Sequence, residues 1–284
     1  MERENVTCAI CDKNNTTLIC QTKSLYSDEM FLIVKCNKCG LIYVNPRQKW
    51  SCKKLIIEYA DVVKNFVKKD GDNYVVYKHI LNFIESIKKK KGKFLDIGCS
   101  TGGALIEAKK RGWEVYGIEL NKSCANFCIN KGIEIFQGET YEANFPDNFF
   151  DAIIMVHSIE HLYNLNKDFR KIKCMLKSGG LIYIMTPNFN NYLIRILKKL
   201  HLISENFDKL DPTAHAYYFT KSSLKKLLIS NGFNIKKVKA GISGDFLLKD
   251  NNTFKKALYL FIKPILILIS LFDPGSTLIA LAEK

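Results

Sequence analysis

The segment FLDIGCSTGG, residues 94–103, combines an apolar run, one carboxylate and a turn of small residues. A nucleotide that lies across the carboxyl edge of a parallel sheet needs such a turn after the first strand, because bulky side chains would block it. Gly98, Ser100 and Gly102 predict that turn. Asp96 precedes it and would repel a pyrophosphate but attract an ammonium group. The pattern favours a nucleoside that carries a cationic amino-acid tail over a dinucleotide.

A second acid stands where the same nucleoside would place its ribose. Glu119 is the last residue but one of the run WEVYGIEL, 23 residues after Asp96. A carboxylate at the end of the next strand accepts hydrogen bonds from both ribose hydroxyls. A glycine-rich turn alone is weak evidence, whereas a turn with an acid on each of two strands is a stronger pattern. The alternative is a purely structural role for these residues.

Four of the ten cysteines form two C-x2-C pairs, Cys8 with Cys11 and Cys36 with Cys39. Tetrahedral zinc needs four soft donors, and two such pairs on facing loops supply them. A segment of about 40 residues cannot build an adequate core alone, so a metal would hold it folded. Four thiolates leave no open coordination position, which predicts a structural zinc site. The alternative is four unrelated thiols.

The elements that position these residues alternate between strand and helix after residue 93, as in βαβ units with a parallel sheet. The predicted strands are KFLDIG, WEVYGIEL, IEIFQG, FDAIIMVH, GLIYIMTPN, FNIKKVKA and STLIALAEK. Before them, two helices are predicted with a break at KKDGDN, and their sequences are KKLIIEYADVVKNF and YVVYKHILNFIESIKKK.

Four segments make the chain resemble the class I S-adenosylmethionine-dependent methyltransferases from about Lys93 to Phe233: FLDIGCSTGG, GIEL, FDAIIMVHSIEHL and LKSGGLIYIMTPN. A fifth segment, HAYYFTKSSLKKLLISNGF, is similar to that family's approach to its sixth strand. The chain looks most like the quinone-methylase-like and glycan-cluster branch, which often carries an amino-terminal ribbon similar to CNKCGLIYVNPR. Ser100 and Ser178 depart from the family pattern, which has glycine and proline there.

The resemblance implies an α/β fold, a Rossmann-like seven-stranded methyltransferase sheet with a small amino-terminal zinc ribbon. We expect the ribbon over residues 1–46 and a helical linker or lid over 47–92. The S-adenosylmethionine-binding methyltransferase domain then covers 93–284, with insertions at 189–219 and 250–275.

The resemblance also implies that nine residues near the predicted strand ends bind S-adenosylmethionine. They are Asp96, Gly98, Ser100, Gly102, Glu119, Leu120, Glu139, Thr140 and His157. It implies that the first turn faces the methionine part of the cofactor and that the end of the second strand holds its ribose and adenine. The loop after the third strand is expected near the adenine amino group, and the histidine under the sulfonium.

Methyl transfer from a sulfonium is an in-line substitution, so the protein aligns donor and acceptor and excludes water. An oxygen or nitrogen acceptor needs a base with a pKa near the working pH. The candidates are His157, Glu160 and His161 in HSIEHL, and His215 with Tyr217 in AHAYYF. We favour His215 slightly over His161, because His215 follows DPT in a loop where the acceptor should arrive. Structural packing explains His161 equally well. His157 and His161 are four residues apart, which predicts that they share one helical face.

A divalent metal ion is an alternative to a histidine base on the acceptor side. A relative within the family binds such an ion through E-x-x-E-H, and here His157, Glu160 and His161 occupy those positions. The first of them departs from the pattern, because it is histidine.

The formal net charge is +15, with 43 Lys and Arg against 28 Asp and Glu. The lysines are spread over the chain rather than gathered on the cysteine-rich segment, which disfavours nucleic acid as a partner. The expected acceptor is a small molecule, a glycan or a lipid-linked molecule. An RNA-modifying methyltransferase and a non-catalytic ribbon adaptor are the alternatives.

Ten cysteines without a positively charged apolar leader predict a cytoplasmic protein. The apolar run at 257–272 is too short to span a bilayer, and the run at 192–203 mixes apolar and basic residues. Packing within the protein is the first expectation for both runs. Peripheral contact with the inner membrane face is the alternative.

Overall fold

The structure, a computed structural model, describes residues 2–24, 28–49, 62–191, 210–241 and 276–284. The strands within these ranges are β1 (Arg3–Glu4), β2 (Thr16–Lys23), β3 (Met30–Cys36), β4 (Ile42–Val44), β5 (Arg47–Gln48), β6 (Lys93–Ile97), β7 (Glu114–Glu119), β8 (Glu134–Gln137), β9 (Phe150–Val156), β10 (Leu176–Pro187), β11 (Tyr217–Tyr218), β12 (Asn234–Gly241) and β13 (Thr277–Glu283). The helices are α1 (Val62–Ile87), α2 (Gly103–Lys110), α3 (Lys122–Ile129), α4 (Leu165–Met175) and α5 (Lys221–Ser230). Two 3-10 turns cover Thr140–Glu142 and Ile159–His161.

Seven strands form the central sheet in the order β12-β13-β10-β9-β6-β7-β8. Strand β13 runs antiparallel to both of its neighbours, and the other six strands point in one direction. The sequence FDAIIMV of β9 is almost wholly buried, because a central parallel strand is covered on both faces and is apolar along its length. The seven-stranded α/β sheet predicted from the sequence is confirmed.

The strand order reverses at β6. From β6 the chain adds β7 and β8 on one side and then crosses to β9 on the other side. In open α/β sheets a ligand-binding crevice lies at the carboxyl ends of the strands at such a switch point. The turns that follow β6, β7 and β9 are therefore the turns that can build a site.

Helix α1 runs without interruption through KKDGDN, where the sequence predicts a break. A glycine inside a helix costs about 1 kcal/mol relative to alanine, and α1 contains no proline, so packing can outweigh the cost. Ile80, Leu81 and Ile84 are buried in one apolar cluster with Phe94 and Trp113. The beginning of the first predicted helix lies outside the described residues.

The amino-terminal strands form a second sheet in the order β11-β4-β3-β2. Its strand β11 lies between β10 and β12 of the central sheet in sequence, and Tyr217 and Tyr218 pair with Tyr43 and Ile42 of β4. Ribbon residues that include Leu41 share one apolar cluster with residues of the central sheet. The ribbon is thus packed against the α/β core and shares a sheet with it.

Among the described residues, the structure contains no helix with the length and apolarity that a membrane crossing requires. The runs 192–203 and 257–272, for which the sequence leaves membrane contact open, lie outside those residues.

Candidate cofactor and acceptor site

The glycine-rich turn joins β6 to α2 at the carboxyl edge of the sheet. Gly98, Ser100 and Gly102 have left-handed backbone, with φ of +74°, +49° and +77°, and this region favours glycine. A Cβ atom on Gly98 would lie 2.7 Å from the Ser158 Cβ, and one on Gly102 would lie 2.9 Å from the Cys128 Sγ. A side chain at Gly98 or Gly102 would therefore strain the backbone and clash with a neighbouring residue of the protein. Close approach of a cofactor at Gly102 stays a prediction.

Three amides of this turn already donate to acceptors within the protein. Gly98 N and Cys99 N lie 2.8 and 3.2 Å from the carbonyl oxygen of Ile118. Ser100 N donates to Glu119 Oε2 at 2.8 Å. A phosphate-binding turn needs N–H groups that point at the anion. Because these three amides are used elsewhere, the turn favours a ligand without a phosphate at this position.

Asp96 and Glu119 lie near the carboxyl ends of two adjacent parallel strands. Asp96 is buried, with 5% of its surface exposed, and Glu119 is half-buried. The two oxygens of Glu119 accept N–H bonds from Ser100 and Asn121, each at 2.8 Å. Burial raises the pKa of Glu119, although the bonds from Asn121 and Ser100 act in the opposite direction. The carboxylate is held in one orientation and keeps lone pairs for further donors.

The residues expected near the adenine lie on two loops that are joined to each other. Leu120 directly follows β7 and is half-buried, and Glu139 and Thr140 are buried after β8. Gly138 N donates to the carbonyl oxygen of Glu119 at 3.1 Å. The structure therefore brings the residues predicted for ribose and adenine to one edge of the sheet.

Asp168 of α4, which sequence reasoning missed, lies fully buried behind the loop after β8. Its Oδ1 accepts the N–H of Tyr141 at 3.1 Å, and its Oδ2 has no hydrogen-bond partner within the described ranges. Burial, followed by the charge of Glu139, raises the pKa of Asp168 from 3.8 to about 7. Asp168 could not be identified from the sequence, because an acid in the first turn of an amphipathic helix is usually exposed.

We predict that Asp168→Asn stabilises the protein at neutral pH. Between about pH 4 and pH 7 the folded chain keeps a proton that the unfolded chain has lost, so the free energy of unfolding falls as pH rises, by up to about 4 kcal/mol in total. The asparagine variant should lack this slope, which urea unfolding at several pH values would measure. Asn at the exposed Asp147 is the control, and equal slopes for Asp168→Asn and the wild type would contradict the expectation.

The structure separates His157 from the other histidine that follows β9. His157 has a left-handed φ of +53° and precedes the 3-10 turn Ile159–His161. The shared helical face predicted for His157 and His161 is wrong, because a left-handed residue does not continue a right-handed helix. His157 instead places its Nδ1 3.5 Å from the Oε1 of Glu160.

His161 and His215 lie against each other, with ring centroids 4.9 Å apart. The Nδ1 of His161 lies 2.8 Å from the carbonyl oxygen of Ala214. A carbonyl oxygen only accepts, so in the neutral ring Nδ1 carries the proton and Nε2 has the lone pair. Burial, followed by the charge of His161, lowers the pKa of His215 to about 4. His215 is therefore uncharged at neutral pH and is a weak base.

Glu160 lies beside this pair with only 2% of its surface exposed. Its Oε2 accepts the hydroxyl of Thr186 at 2.9 Å. Burial acts to raise its pKa, but the contact with His157 and the charges of His161 and His157 lower the pKa of Glu160 overall. Glu160, His161 and His215 each place one donor atom within 4.8 Å of the others, a grouping that also suits a divalent cation. In this set, His215 takes the place that the sequence gave to His157.

The four ribbon cysteines converge as predicted. The Sγ atoms of Cys8 and Cys39 are 3.2 Å apart, and those of Cys11 and Cys36 are 3.5 Å apart. Four sulfurs around one zinc lie about 3.8 Å from one another at the usual Zn–S length of about 2.3 Å. The donor set therefore fits a tetrahedral ion with a small outward adjustment. The hydrogen bond between Cys8 and Cys39 lowers the pKa of Cys39 to about 5 and raises the pKa of Cys8. The two sulfurs therefore share a proton that bound zinc would displace.

A family model described as a methyltransferase domain matches residues 70–238, more than half of the chain. The chain belongs to the methyltransferase-domain family.

Three similar relatives of this methyltransferase-domain chain are enzymes. The sterol 24-C-methyltransferase of Gibberella zeae is 29% identical over 116 residues, which are 36% of this chain and 30% of that protein. Ajmaline N-methyltransferase of Rauvolfia serpentina is 29% identical over 113 residues, 37% of this chain and 39% of that protein.

The third relative is phosphoethanolamine N-methyltransferase 1 of Arabidopsis thaliana. It is 32% identical over 110 residues, which are 36% of this chain and 22% of that protein. The chain thus spans between 22% and 39% of the length of these curated relatives.

Solved structures share the fold of this methyltransferase-domain chain. A SAM-dependent methyltransferase from Archaeoglobus fulgidus has a TM-score of 0.54 at 24% identity, covering 74% of this chain and 93% of its own. The geranyl diphosphate C-methyltransferase of Streptomyces coelicolor has a TM-score of 0.50 at 14% identity, covering 73% and 78%. The Rossmann-like methyltransferase fold implied by the sequence motifs is confirmed.

Proposed function

We propose that this chain transfers the methyl group of S-adenosylmethionine to a small-molecule acceptor. The observation that carries the proposal is the turn after β6, whose amides are used within the protein and which is flanked by Asp96 and Glu119. A nicotinamide dinucleotide would bring a pyrophosphate to the same turn. A sulfonium nucleoside brings an ammonium group and a ribose, which two carboxylates can bind.

The residues at the strand ends fit this cofactor in chemistry and position. S-Adenosylmethionine, when bound, supplies a methyl group that is already activated by the sulfonium. Asp96 would bind its ammonium group, and Glu119, already oriented by two N–H bonds, would accept its ribose hydroxyls. Leu120 would pack on the adenine, with Glu139 and Thr140 near its amino group. His157 would lie on the sulfonium side.

On the acceptor side, His161 takes the proton of an oxygen or nitrogen nucleophile at its Nε2. The carbonyl of Ala214 fixes the tautomer that leaves this atom free. The carboxylate of Glu160 stabilises the imidazolium that forms. We favour His161 over His215 as the base, in contrast to the preference from the sequence, because His215 has a pKa of about 4 and is a weak proton acceptor at neutral pH.

Small-molecule acceptors are supported by the names of the relatives, which are methyltransferases of a sterol, of ajmaline and of phosphoethanolamine. Sugars, glycans and lipid-linked molecules stay within the proposed class. The test is incubation of the protein with methyl-labelled S-adenosylmethionine and separate small-molecule, glycan, lipid and RNA fractions of a cell extract, followed by mass spectrometry.

We expect label in a small-molecule, glycan or lipid fraction. Label in the RNA fraction alone would favour the RNA-modifying alternative. Absence of label from every fraction, with cofactor binding intact, would contradict the proposed enzyme activity and favour an adaptor.

We further propose that Cys8, Cys11, Cys36 and Cys39 hold a structural zinc. One zinc per chain is expected by elemental analysis, and Cys36→Ser should lower both the zinc content and the thermal midpoint. A loss of about 4 kcal/mol corresponds to a midpoint about 10 °C lower in a protein of this size. Cys174→Ser is the control, because Cys174 is exposed and stands outside the cluster. A full zinc content in Cys36→Ser would contradict the site.

A further inference from the structure

Arg47 lies in β5, which pairs with β1 and so extends the ribbon two residues beyond the bound at residue 46 expected from the sequence. It contacts both segments that carry the paired histidines. Its side chain is only 12% exposed. The Nη1 donates to the carbonyl oxygen of Tyr163 at 2.7 Å and lies 3.4 Å from the hydroxyl of Tyr217. The Tyr217 hydroxyl in turn donates to the same Tyr163 carbonyl at 3.4 Å. One guanidinium therefore links two residues that are 54 positions apart in the chain.

The remaining groups of Arg47 fasten it to the ribbon and to the Tyr163 ring. Its Nε pairs with Glu4 Oε1 at 2.8 Å, and its Cζ lies 4.5 Å from the centroid of the Tyr163 ring. The Tyr163 hydroxyl donates to the carbonyl oxygen of Gln48 at 2.9 Å. A planar guanidinium holds several acceptors in a fixed arrangement, which an ammonium group on a flexible stem does not.

The two tyrosines each follow a candidate acceptor-side histidine by two residues. Tyr163 follows His161, and Tyr217 follows His215. The ribbon holds the second segment directly as well, since β11 pairs with β4 and Val44 N donates to the Ala216 carbonyl at 3.1 Å. The relative position of the two imidazoles thus depends on contacts that originate in the ribbon.

We propose that Arg47 is a positioning residue that sets the contact between His161 and His215 from the amino-terminal ribbon. This inference rests on the proposed function, because it gives the two histidines a role on the acceptor side. It makes the ribbon part of the site that receives the acceptor, beyond its role as a metal-bound module. Arg47 itself need not touch the cofactor or the acceptor.

Arg3 offers a matched control within the same ribbon. Its Cζ lies 4.3 Å from the Phe31 ring centroid, and its Nη2 pairs with Glu29 at 3.2 Å. Its Nη1 donates to the carbonyl oxygen of Met30 at 2.7 Å. Arg3 therefore makes the same three kinds of contact as Arg47, but these contacts stay inside the ribbon. A comparison of the two arginines separates positioning of the histidines from ribbon stability.

The experiment compares Arg47→Lys with Arg3→Lys in the full chain. Three measurements are made: NMR of the imidazole resonances of His161 and His215, calorimetry of S-adenosylmethionine binding, and kinetics that give kcat and KM with labelled donor. The resonances are assigned with His161→Gln and His215→Gln. Arg47→Lys should shift both resonances and lower kcat about tenfold or more, since a displacement of about 1 Å can cost about 100-fold in rate. Its cofactor affinity should stay within about twofold of the wild type, and Arg3→Lys should change none of the three.

Unchanged resonances and kcat in Arg47→Lys, or equal changes in Arg3→Lys, would overturn the proposal. If Arg47→Lys does not fold, Tyr217→Phe decides, because it removes only the hydroxyl between Arg47 and the Tyr163 carbonyl. A shift of both resonances in that variant supports positioning, and no shift contradicts it. Failure of the wild type to bind S-adenosylmethionine would overturn the proposed function. The positioning role of Arg47 would still be tested, because the NMR measurement needs neither cofactor nor acceptor.

Discussion

His161→Ala is expected to lower methyl transfer about 100- to 10,000-fold while leaving S-adenosylmethionine affinity within about twofold of the wild type. The imidazole provides the Nε2 that takes the acceptor proton, and its Nδ1 bonds to the Ala214 carbonyl rather than to a carboxylate proposed to bind the cofactor. His215→Ala should also abolish turnover, because the His161 ring loses the partner that packs against it at a centroid distance of 4.9 Å. Transfer is measured with the labelled donor and the fraction that accepts label.

The control for both variants is His79→Ala, since His79 lies on α1 at an exposed position. Normal rates in both histidine variants would show that neither residue is the base. Loss of transfer on chelation, with recovery on addition of magnesium or manganese and an unchanged zinc content, would instead assign Glu160, His161 and His215 to a cation.

Glu119→Gln is expected to weaken S-adenosylmethionine binding by about 30- to 100-fold, because charge-assisted hydrogen bonds contribute about 2–3 kcal/mol. The variant keeps the side-chain volume but replaces one acceptor oxygen with an NH₂ group that faces donors. The N–H groups of Ser100 and Asn121, which now bind the two oxygens, would compete for the single oxygen left. Calorimetry on the two proteins measures the change.

Glu114→Gln is the matched control for this variant. Glu114 begins the same strand that Glu119 ends, so it lies at the opposite edge of the sheet, where it pairs with Lys93 at 2.7 Å. The same substitution at that edge should leave cofactor affinity unchanged. Equal affinities for Glu119→Gln and the wild type would exclude the ribose role of Glu119.

The central sheet and the cofactor edge could be predicted from the sequence because both follow from short-range patterns. Apolar runs such as FDAIIMV mark strands that are buried on both faces. Once parallel strands are expected, Asp96 and Glu119 must lie at the same edge, since they stand near the ends of neighbouring strands. The four cysteines are likewise predicted by spacing alone, because four soft donors in two pairs have few other uses.

The acceptor side could not be predicted in the same way, because its contacts join distant parts of the chain. His161 meets His215 only because the segment around Ala216 bonds to Glu160 and to the ribbon. No periodicity links residues that lie so far apart in sequence. The left-handed backbone of His157 prevents the helical face predicted for His157 and His161. A histidine gives no sign of such a conformation in the sequence, because tertiary packing sets it.

The most direct test of a sulfonium-nucleoside site is a pair of calorimetric titrations of the wild-type protein, one with S-adenosylmethionine and one with NADH. We predict one S-adenosylmethionine bound per chain and no heat from NADH, because the turn after β6 offers carboxylates rather than free amides. Binding of NADH without binding of S-adenosylmethionine would contradict the assignment of Asp96 and Glu119, and with it the proposed methyltransferase activity.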